Sequence, residues 1–200
     1  LMIAELGHFA LILAFVTSIV VSIVPLAGVA FGNTKMMQLA VPATVVMTGS
    51  VLIAFAALVW AFVTSDFSVA LVTSHSHSAK PLIYKISGTW GNHEGSLLLW
   101  IVILVSFAAI LTVSGTAMPM VLKTRTLAIQ GIVSAAFLAF SLFTSNPFTR
   151  LSPAPFDGNG LNPILQDPGL ALHPPTLYVG YVGLSMAFSF AVAGLLEGKD

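Results

Sequence analysis

Cysteine is absent from this chain of 200 residues, and charged residues make up only 7% of it. Without cysteine the chain cannot form disulfides, thiolate metal sites or cysteine nucleophiles of its own, so any thiol chemistry belongs to partners. The formal net charge is zero, which argues against nucleic acid as a partner. A soluble domain has about a quarter of its residues charged, so the scarcity of charge indicates another class of protein.

Most of the chain consists of long apolar runs. Hydrophobic residues make up 57% of the chain, and the mean hydropathy is +0.99. A membrane-spanning helix needs about 20 mostly apolar residues, and five stretches qualify: Gly7 to Phe31, Val41 to Thr64, Ser96 to Met118, Leu127 to Thr144 and Thr176 to Leu196. We therefore expect an all-α, polytopic integral membrane protein with about five transmembrane helices and no separate soluble domain.

The basic residues predict the orientation of these spans. Lys35 follows the first span, and Lys123 with Arg125 follows the third, in short connections of the kind that the positive-inside rule assigns to the cytoplasm. The two long loops, Asp66 to Gly95 and Ser145 to Pro175, are then expected together on the outer face. Because the chain stops directly after its fifth span, we expect residues 1–200 to be part of a larger helix bundle.

The second long loop delivers one histidine to a membrane helix. His173 is followed by Pro174 and Pro175, and proline is favoured in the first turn of a helix. The residue before a proline is pushed toward extended backbone. The pattern therefore predicts that a helix begins at the two prolines and that His173 lies just outside it, restrained at the membrane surface.

The segment SGTWGNHEGSLLLW, residues 87–100, leads into the third span. A helix beginning near Asn92 places His93 and Trp100 along one face, with Trp90 just before the helix. One interpretation is an Asn cap, an acidic first turn at Glu94 and two interfacial tryptophans. The other is an aromatic surface of Trp90 and Trp100 beside His93 and Glu94, suited to a planar cofactor. The residues alone favour the first.

Four other ionisable groups lie near the outer ends of the spans. Glu5 and His8 are about one helical turn apart, so hydrogen bonding at the interface, including contact with each other, is expected. His75 and His77 form an H-x-H pattern, which is a weak metal signal because protein metal sites need at least three ligands. We interpret both as solvated loop residues.

Arg150 is the cation of the last outer loop. Its planar guanidinium suits a carboxylate, and the same loop carries Asp157 and Asp167. Pairing with one of these two is the simpler expectation, and a place beside a bound cofactor is the other.

Several long runs, taken in order, resemble one family. They are ELGHFALIL, TWGNHEGSLLLW, SNPF, DGNGLNP and LQDPGLALHPPTLY. Together they resemble the N-terminal part of the large membrane subunit of the bacterial cytochrome c haem lyase, the CcmF family with its nitrite-reductase-associated relatives. The resemblance covers essentially the whole chain and identifies residues 1–200 as the N-terminal membrane portion of a larger haem lyase subunit.

The resemblance implies a function in cytochrome c maturation. The family accepts haem from a periplasmic haem chaperone and forms two thioether bonds between the haem vinyl groups and the cysteines of a C-x-x-C-H sequence in apocytochrome c. Thiol-reducing and apocytochrome-binding subunits complete the complex, in the bacterial inner membrane with the long loops periplasmic. The activity is thus that of a haem lyase, a synthetase-type enzyme working as part of a complex.

The resemblance also implies a site. His173 matches the first of two histidines that hold the incoming haem, as an axial ligand to the haem iron. We expect Trp90, His93, Glu94, Trp100 and Arg150 to surround that haem. The tryptophan-rich segment, the second flanking histidine and the ligands of the family's haem b are absent from this chain.

Two other classes of function remain open. A transporter of haem or another solute usually carries ionisable or helix-breaking residues at mid-membrane depth, whereas here the polar residues gather at the outer ends of the spans. A scaffold that only docks partner subunits is the third interpretation.

Overall fold

The structure, a computed structural model, describes residues 2–198. Within them it is helical, and its β-pairing is limited to one isolated antiparallel bridge between Val69 and Arg150. The α-helices are α1 (Met2–Ala30), α2 (Thr34–Gln38), α3 (Ala40–Val63), α4 (Ala70–His75), α5 (Leu82–Gly88), α6 (His93–Ser114), α7 (Met120–Phe143), α8 (Pro168–Val182) and α9 (Leu184–Glu197), with 3-10 turns at Gly115–Ala117 and Pro163–Leu165.

Five helical segments are long and apolar enough to cross a membrane, which confirms the expected number of spans: Met2–Ala30, Thr34–Val63, His93–Ala117, Met120–Phe143 and Ala171–Glu197. The fourth begins seven residues before its predicted start, because the helix continues through the basic residues of its first turns. Lys123 reaches back there, and its Nζ donates to the carbonyl oxygen of Thr112 at 2.8 Å. The cation thus binds the C-terminal end of α6, where the helix dipole favours positive charge.

Helix α1 packs chiefly against α3 and α7. Small residues allow the close approach. A Cβ at Gly7 would lie 2.4 Å from the ring of Phe148 and 2.9 Å from the Cβ of Ala57, and one at Gly131 of α7 would lie 2.8 Å from Val21. Membrane helices associate through such small-residue contacts because lipid gives no hydrophobic driving force between them.

The two long loops pack together at one end of the bundle, called here the loop end. Backbone hydrogen bonds join them along their length: Ala70 N to Thr149 O at 2.9 Å, Leu151 N to Ser68 O at 2.8 Å, Asn159 N to Thr73 O at 2.7 Å and Gly160 N to Ser76 O at 2.9 Å. The prediction that both loops lie on one face is confirmed. The first loop also contains α4 and α5, two short helices that its apolar pattern did not reveal.

The fifth span consists of α8 and α9, separated by Gly183, and it is the most exposed of the five. One polar contact inside the membrane region connects α9 to the rest. Gln130 of α7, which is fully buried, donates from Nε2 to Ser185 Oγ at 2.9 Å and accepts from Ser189 Oγ at 2.8 Å. This side chain therefore ties α7 to α9.

Candidate functional site

The corner between α5 and α6 is built on Asn92. Its Oδ1 accepts from Gly95 N at 2.7 Å, while its Nδ2 donates to the carbonyl of Gly88 at 2.7 Å. One side chain therefore caps the start of α6 and the end of α5, and Trp90 is held between them. The predicted Asn cap and the acidic first turn at Glu94 are confirmed.

Gly95 explains why this corner is so tight. A Cβ built there would lie 1.6 Å from the carbonyl oxygen of Thr89 and 3.0 Å from Asn92 Oδ1. Both neighbours belong to the turn itself, so neither can move away without breaking the cap. Only glycine allows α6 to start this close to the preceding turn.

His173 does not lie outside the helix, so the sequence-based prediction for its backbone is wrong. Helix α8 begins at Pro168, and the Asp167 carbonyl accepts from Ala171 N at 2.8 Å. Pro168 thus occupies the first-turn position that we had assigned to Pro174 and Pro175. The helix then continues through His173 and both prolines.

A proline inside a helix leaves one carbonyl without its usual donor, since the missing N–H would bind the carbonyl four residues earlier. For Pro175 that carbonyl belongs to Ala171. The structure supplies another donor: the indole Nε1–H of Trp90 donates to Ala171 O at 2.8 Å. Trp90 therefore contacts the backbone of the His173 segment, while its expected place beside a bound haem stays a prediction.

The imidazole of His173 points away from that corner. Ala171 and Tyr178 are seven residues apart and share one face of α8, and the hydroxyl of Tyr178 hydrogen-bonds Ser96 of α6. Successive residues of a helix are about 100° apart, so His173, two residues after Ala171, lies on roughly the opposite face. Burial agrees, because Ala171 is 5% exposed whereas His173 is exposed.

Two of the expected haem neighbours pack instead between the helices. The ring of His93 lies 6.4 Å from that of Phe140 on α7. Trp100 lies edge to face with Phe137 at 4.1 Å and 6.2 Å from Tyr181. Among residues 2–198 no ring contact joins Trp90 to Trp100, so the proposed single aromatic surface does not form.

Glu94 lies in a different cleft, of about 260 Å³, on the side of α6 that faces the first loop. His75, Asn146 and Thr149 line the same cleft. The Nδ1 of His75 lies 3.1 Å from the carbonyl of Leu71 within α4, and the side chain is half-buried. The interpretation of His75 as a solvated loop residue is therefore wrong, while His77 is indeed exposed in the loop.

Arg150 clamps the loop end together. Its guanidinium binds Glu5 of α1 at 2.6 Å and Asp66 after α3 at 3.3 Å. We expected Arg150 to pair with Asp157 or Asp167. Asp157 is not its partner, because Asp157 accepts from Ser78 N at 2.9 Å and from its hydroxyl at 2.5 Å. These two hydrogen bonds from Ser78 lower the pKa of the Asp157 carboxyl to about 2.

Glu5 and His8 make the interfacial hydrogen bonds that the sequence predicted, though to the last loop. Glu5 accepts a hydrogen bond from the Arg150 guanidinium. His8 Nδ1 lies 3.2 Å from Asn146 Nδ2. Both residues connect α1 to the segment that leads toward His173.

Lys80 is a group at the loop end that the sequence-based reasoning passed over. Its side chain is 8% exposed, and its Nζ donates to the carbonyl of His75 at 3.0 Å. Burial, followed by the charge of Lys85, lowers the pKa of Lys80 from 10.5 to about 8. The Ser-rich sequence around Lys80 does not indicate burial. Lys80 becomes buried only when α4 and α5 fold over α3.

Comparison with known proteins shows to which family this chain belongs. The family model described as "Cytochrome C assembly protein" matches residues 90–199, which include the Asn92 corner and all of α8. The chain belongs to the cytochrome c assembly protein family. The matched region begins at Trp90 and also takes in His173.

Relatives within this family are similar over nearly the whole chain. The cytochrome c-type biogenesis protein of Rhodobacter capsulatus is 58% identical over 99% of this chain and 30% of its own length. The cytochrome c-type biogenesis protein CcmF of Escherichia coli is 46% identical over 99% of this chain and 31% of its own. The NrfE protein of Haemophilus influenzae is 36% identical. The chain thus spans about 30% of the length of the relatives it matches.

A solved structure confirms the fold. The cytochrome c haem lyase CcmF aligns with 98% of this chain and 31% of its own, with a TM-score of 0.84 at 24% identity. This likeness supports the arrangement of the helices.

Proposed function

We propose that this chain is the haem-handling N-terminal portion of a cytochrome c haem lyase, with His173 as an axial ligand to the haem that is attached to apocytochrome c. The proposal rests on the surroundings of the His173 imidazole. It is exposed at the loop end, and within residues 2–198 no hydrogen bond or ring contact occupies it. A neutral imidazole nitrogen with nothing else to bind is a suitable ligand for haem iron.

The face of α8 around His173 fits a planar apolar ligand. Leu177 lies about one turn below His173 on α8, and Leu184 follows at the start of α9; both are exposed, by 47% and 67%. Gly180 lies between them, and a Cβ there would meet nothing within 4 Å. If His173 holds the haem, this exposed apolar strip of α8 and the start of α9 would be the surface nearest to it.

The cavity behind α8 is not the haem site. It is lined by Trp90, Gly91, Leu165, Ala171 and Pro174 and measures about 230 Å³, below the ~300–1,000 Å³ typical of small-molecule pockets. Haem would therefore lie on the open side of α8, and further parts of the full-length polypeptide would complete its enclosure and supply the second ligand.

Each thioether forms when a thiol S–H adds across a vinyl C=C. The S–H bond and the π bond break, one C–S and one C–H bond form, and the addition needs no oxidant or reductant. The thiols belong to apocytochrome c, in agreement with the absence of cysteine here. The contribution of His173 is to hold the porphyrin still at the membrane surface while the thiols reach it, which is a gain from proximity.

The remaining assignments follow from the same proposal. The loop end faces the periplasm, across the inner membrane from Lys123 and Arg125. A periplasmic haem chaperone delivers haem to the open face of α8, and apocytochrome c approaches with thiol-reducing and apocytochrome-binding subunits. A transporter is less well supported, because Gln130, the largest fully buried polar side chain that the structure describes, has partners for both ends of its amide.

The visible absorption spectrum of the purified full-length protein tests this proposal. Wild-type protein supplied with haem should show low-spin bis-histidine bands, and His173→Ala should lose those that belong to the loop-end haem. Imidazole added to His173→Gly should restore part of them. His77→Ala, an exposed loop histidine, is the matched control and should leave them unchanged. Full bands in His173→Ala would refute the ligand, and a colourless wild type would favour the scaffold.

A further inference from the structure

Helix α8 contains a defect that its own sequence cannot repair. In a regular helix the N–H of residue 175 would donate to Ala171 O, and proline at 175 has no N–H. Ala171 is buried at 5% exposure, so water has little access to that carbonyl. A buried carbonyl without a partner costs about 1–3 kcal/mol, and the turn between Ala171 and Pro175 contains His173.

The donor that satisfies this carbonyl comes from another element. Trp90 Nε1 lies 2.8 Å from Ala171 O, across a gap of 81 residues in sequence. Indole N–H is a donor only, so this contact has one direction. The ring of Trp90 also lines the cavity beside Pro174, which places it behind the turn that bears the histidine.

Trp90 is itself held in place. Its backbone N–H donates to Ser87 O at 3.1 Å, and the Asn92 side chain fixes the turn on its other side through Gly88 and Gly95. A second polar contact, between Ser96 and Tyr178, joins α6 to α8 two turns further along. Helix α8 is thus attached at two points on the face opposite His173.

We propose that Trp90 is a positioning residue for His173: its indole N–H takes the place of the N–H that Pro175 lacks, and so sets the orientation of the α8 turn that presents the imidazole. This inference rests on the proposed function in one respect, namely that the ligand of His173 is haem. The attachment of the turn is a property of the chain whether or not haem is present.

Substitution at both ends of the contact provides a specific test. In the full-length protein, Trp90→Phe keeps an aromatic ring and removes the donor. Hydrogen exchange of the backbone amides of residues 176–182 should then become about fivefold faster, as expected for loss of one hydrogen bond of typical net strength. Pro175→Ala restores an N–H four residues after Ala171, so the double variant Trp90→Phe, Pro175→Ala should return exchange to the wild-type rate.

Matched controls separate the donor from the ring. Trp100 is also packed between helices, but its Nε1–H has no acceptor within residues 2–198. Trp100→Phe removes similar volume and should leave exchange in residues 176–180, the part of the window before its ring contact with Tyr181, within about twofold of wild type. Trp60→Phe, on the exposed side of α3, should have no effect.

The outcomes are distinct. Unchanged exchange in Trp90→Phe, or failure of Pro175→Ala to restore it, would overturn the positioning role. Haem spectra of the same proteins test the consequence: Trp90→Phe should broaden or shift the bands that depend on His173, and the double variant should recover them. If exchange responds and is rescued while His173→Ala keeps its haem bands, the attachment stands and the haem ligand fails.

Discussion

Ser189 Oγ donates a hydrogen bond of 2.8 Å to Gln130 Oε1 in the interior of the bundle. Both side chains are fully buried, and the Nε2 of Gln130 also binds Ser185 on the preceding turn of α9. The amide of one side chain therefore adds hydrogen bonds to the packing of the least buried span against α7.

Replacing this amide should loosen α9. Gln130→Leu keeps a similar volume and removes both hydrogen bonds, at a cost of about 1–2 kcal/mol, given the strength of hydrogen bonds between membrane helices. Thermal unfolding of the full-length protein in detergent should show a lower midpoint. Ile132→Leu, at a site that is 50% exposed on the same helix, is the control. Equal midpoints for the two variants would contradict a tie through Gln130.

Lys80 should make stability depend on pH in an unusual direction. Its pKa is about 8 in the folded protein and 10.5 when unfolded, so between these values the unfolded chain binds more protons, and stability rises with pH. Lys80→Met removes the buried charge. The shift in pKa corresponds to about 3 kcal/mol, and loss of the hydrogen bond from Lys80 to His75 O offsets about 1 kcal/mol of it. The substitution should therefore raise the free energy of unfolding by about 2 kcal/mol at pH 7, and the gain should shrink from pH 8 toward 10.5.

The control for Lys80 is Lys35→Met, an exposed lysine at the opposite end of the bundle. Its effect on unfolding should be small and should not vary over this range. A gain from Lys80→Met that stayed constant up to pH 10.5 would mean that packing, rather than charge, is responsible.

The open strip at Gly180 offers a test of where the porphyrin rests. Gly180→Leu adds a side chain into space that is empty within 4 Å, so folding should be preserved while haem is displaced. We expect at least a tenfold loss of haem affinity, measured by titration of the visible bands. Gly49→Leu, on α3 with equally open space, should bind haem normally. Normal binding by Gly180→Leu would move the porphyrin to another face.

Orientation in the membrane can be checked with single cysteines, since the chain has none of its own. Ser152 at the loop end and Thr116 at the opposite end are both exposed. An impermeant thiol reagent applied to intact spheroplasts should label Ser152→Cys and not Thr116→Cys. The reverse pattern would invert the topology. A cysteine at position 124, between Lys123 and Arg125, would report the same side less well, because Thr124 is only 3% exposed.

Local sequence signals predicted what depends on local physics. The five spans follow from runs of apolar residues, and the start of α6 follows from Asn92 with Glu94 in the first turn. The prediction for His173 failed because two helix-start signals competed, and Pro168 came first along the chain. A proline pair permits a helix to begin, but it does not prevent one that has already begun from continuing.

Tertiary structure decided the rest, because contacts between distant residues leave no periodic pattern in a sequence. Glu5, Asp66 and Arg150 are each unremarkable alone, and only the folded loops bring them together. The same is true of the buried ammonium of Lys80 and of the Trp90 indole on the Ala171 carbonyl. By itself the sequence determined a five-span membrane bundle with its two long polar loops at one end. The direction in which His173 points was decided by which face of α8 could bury Ala171 and Tyr178 against α6.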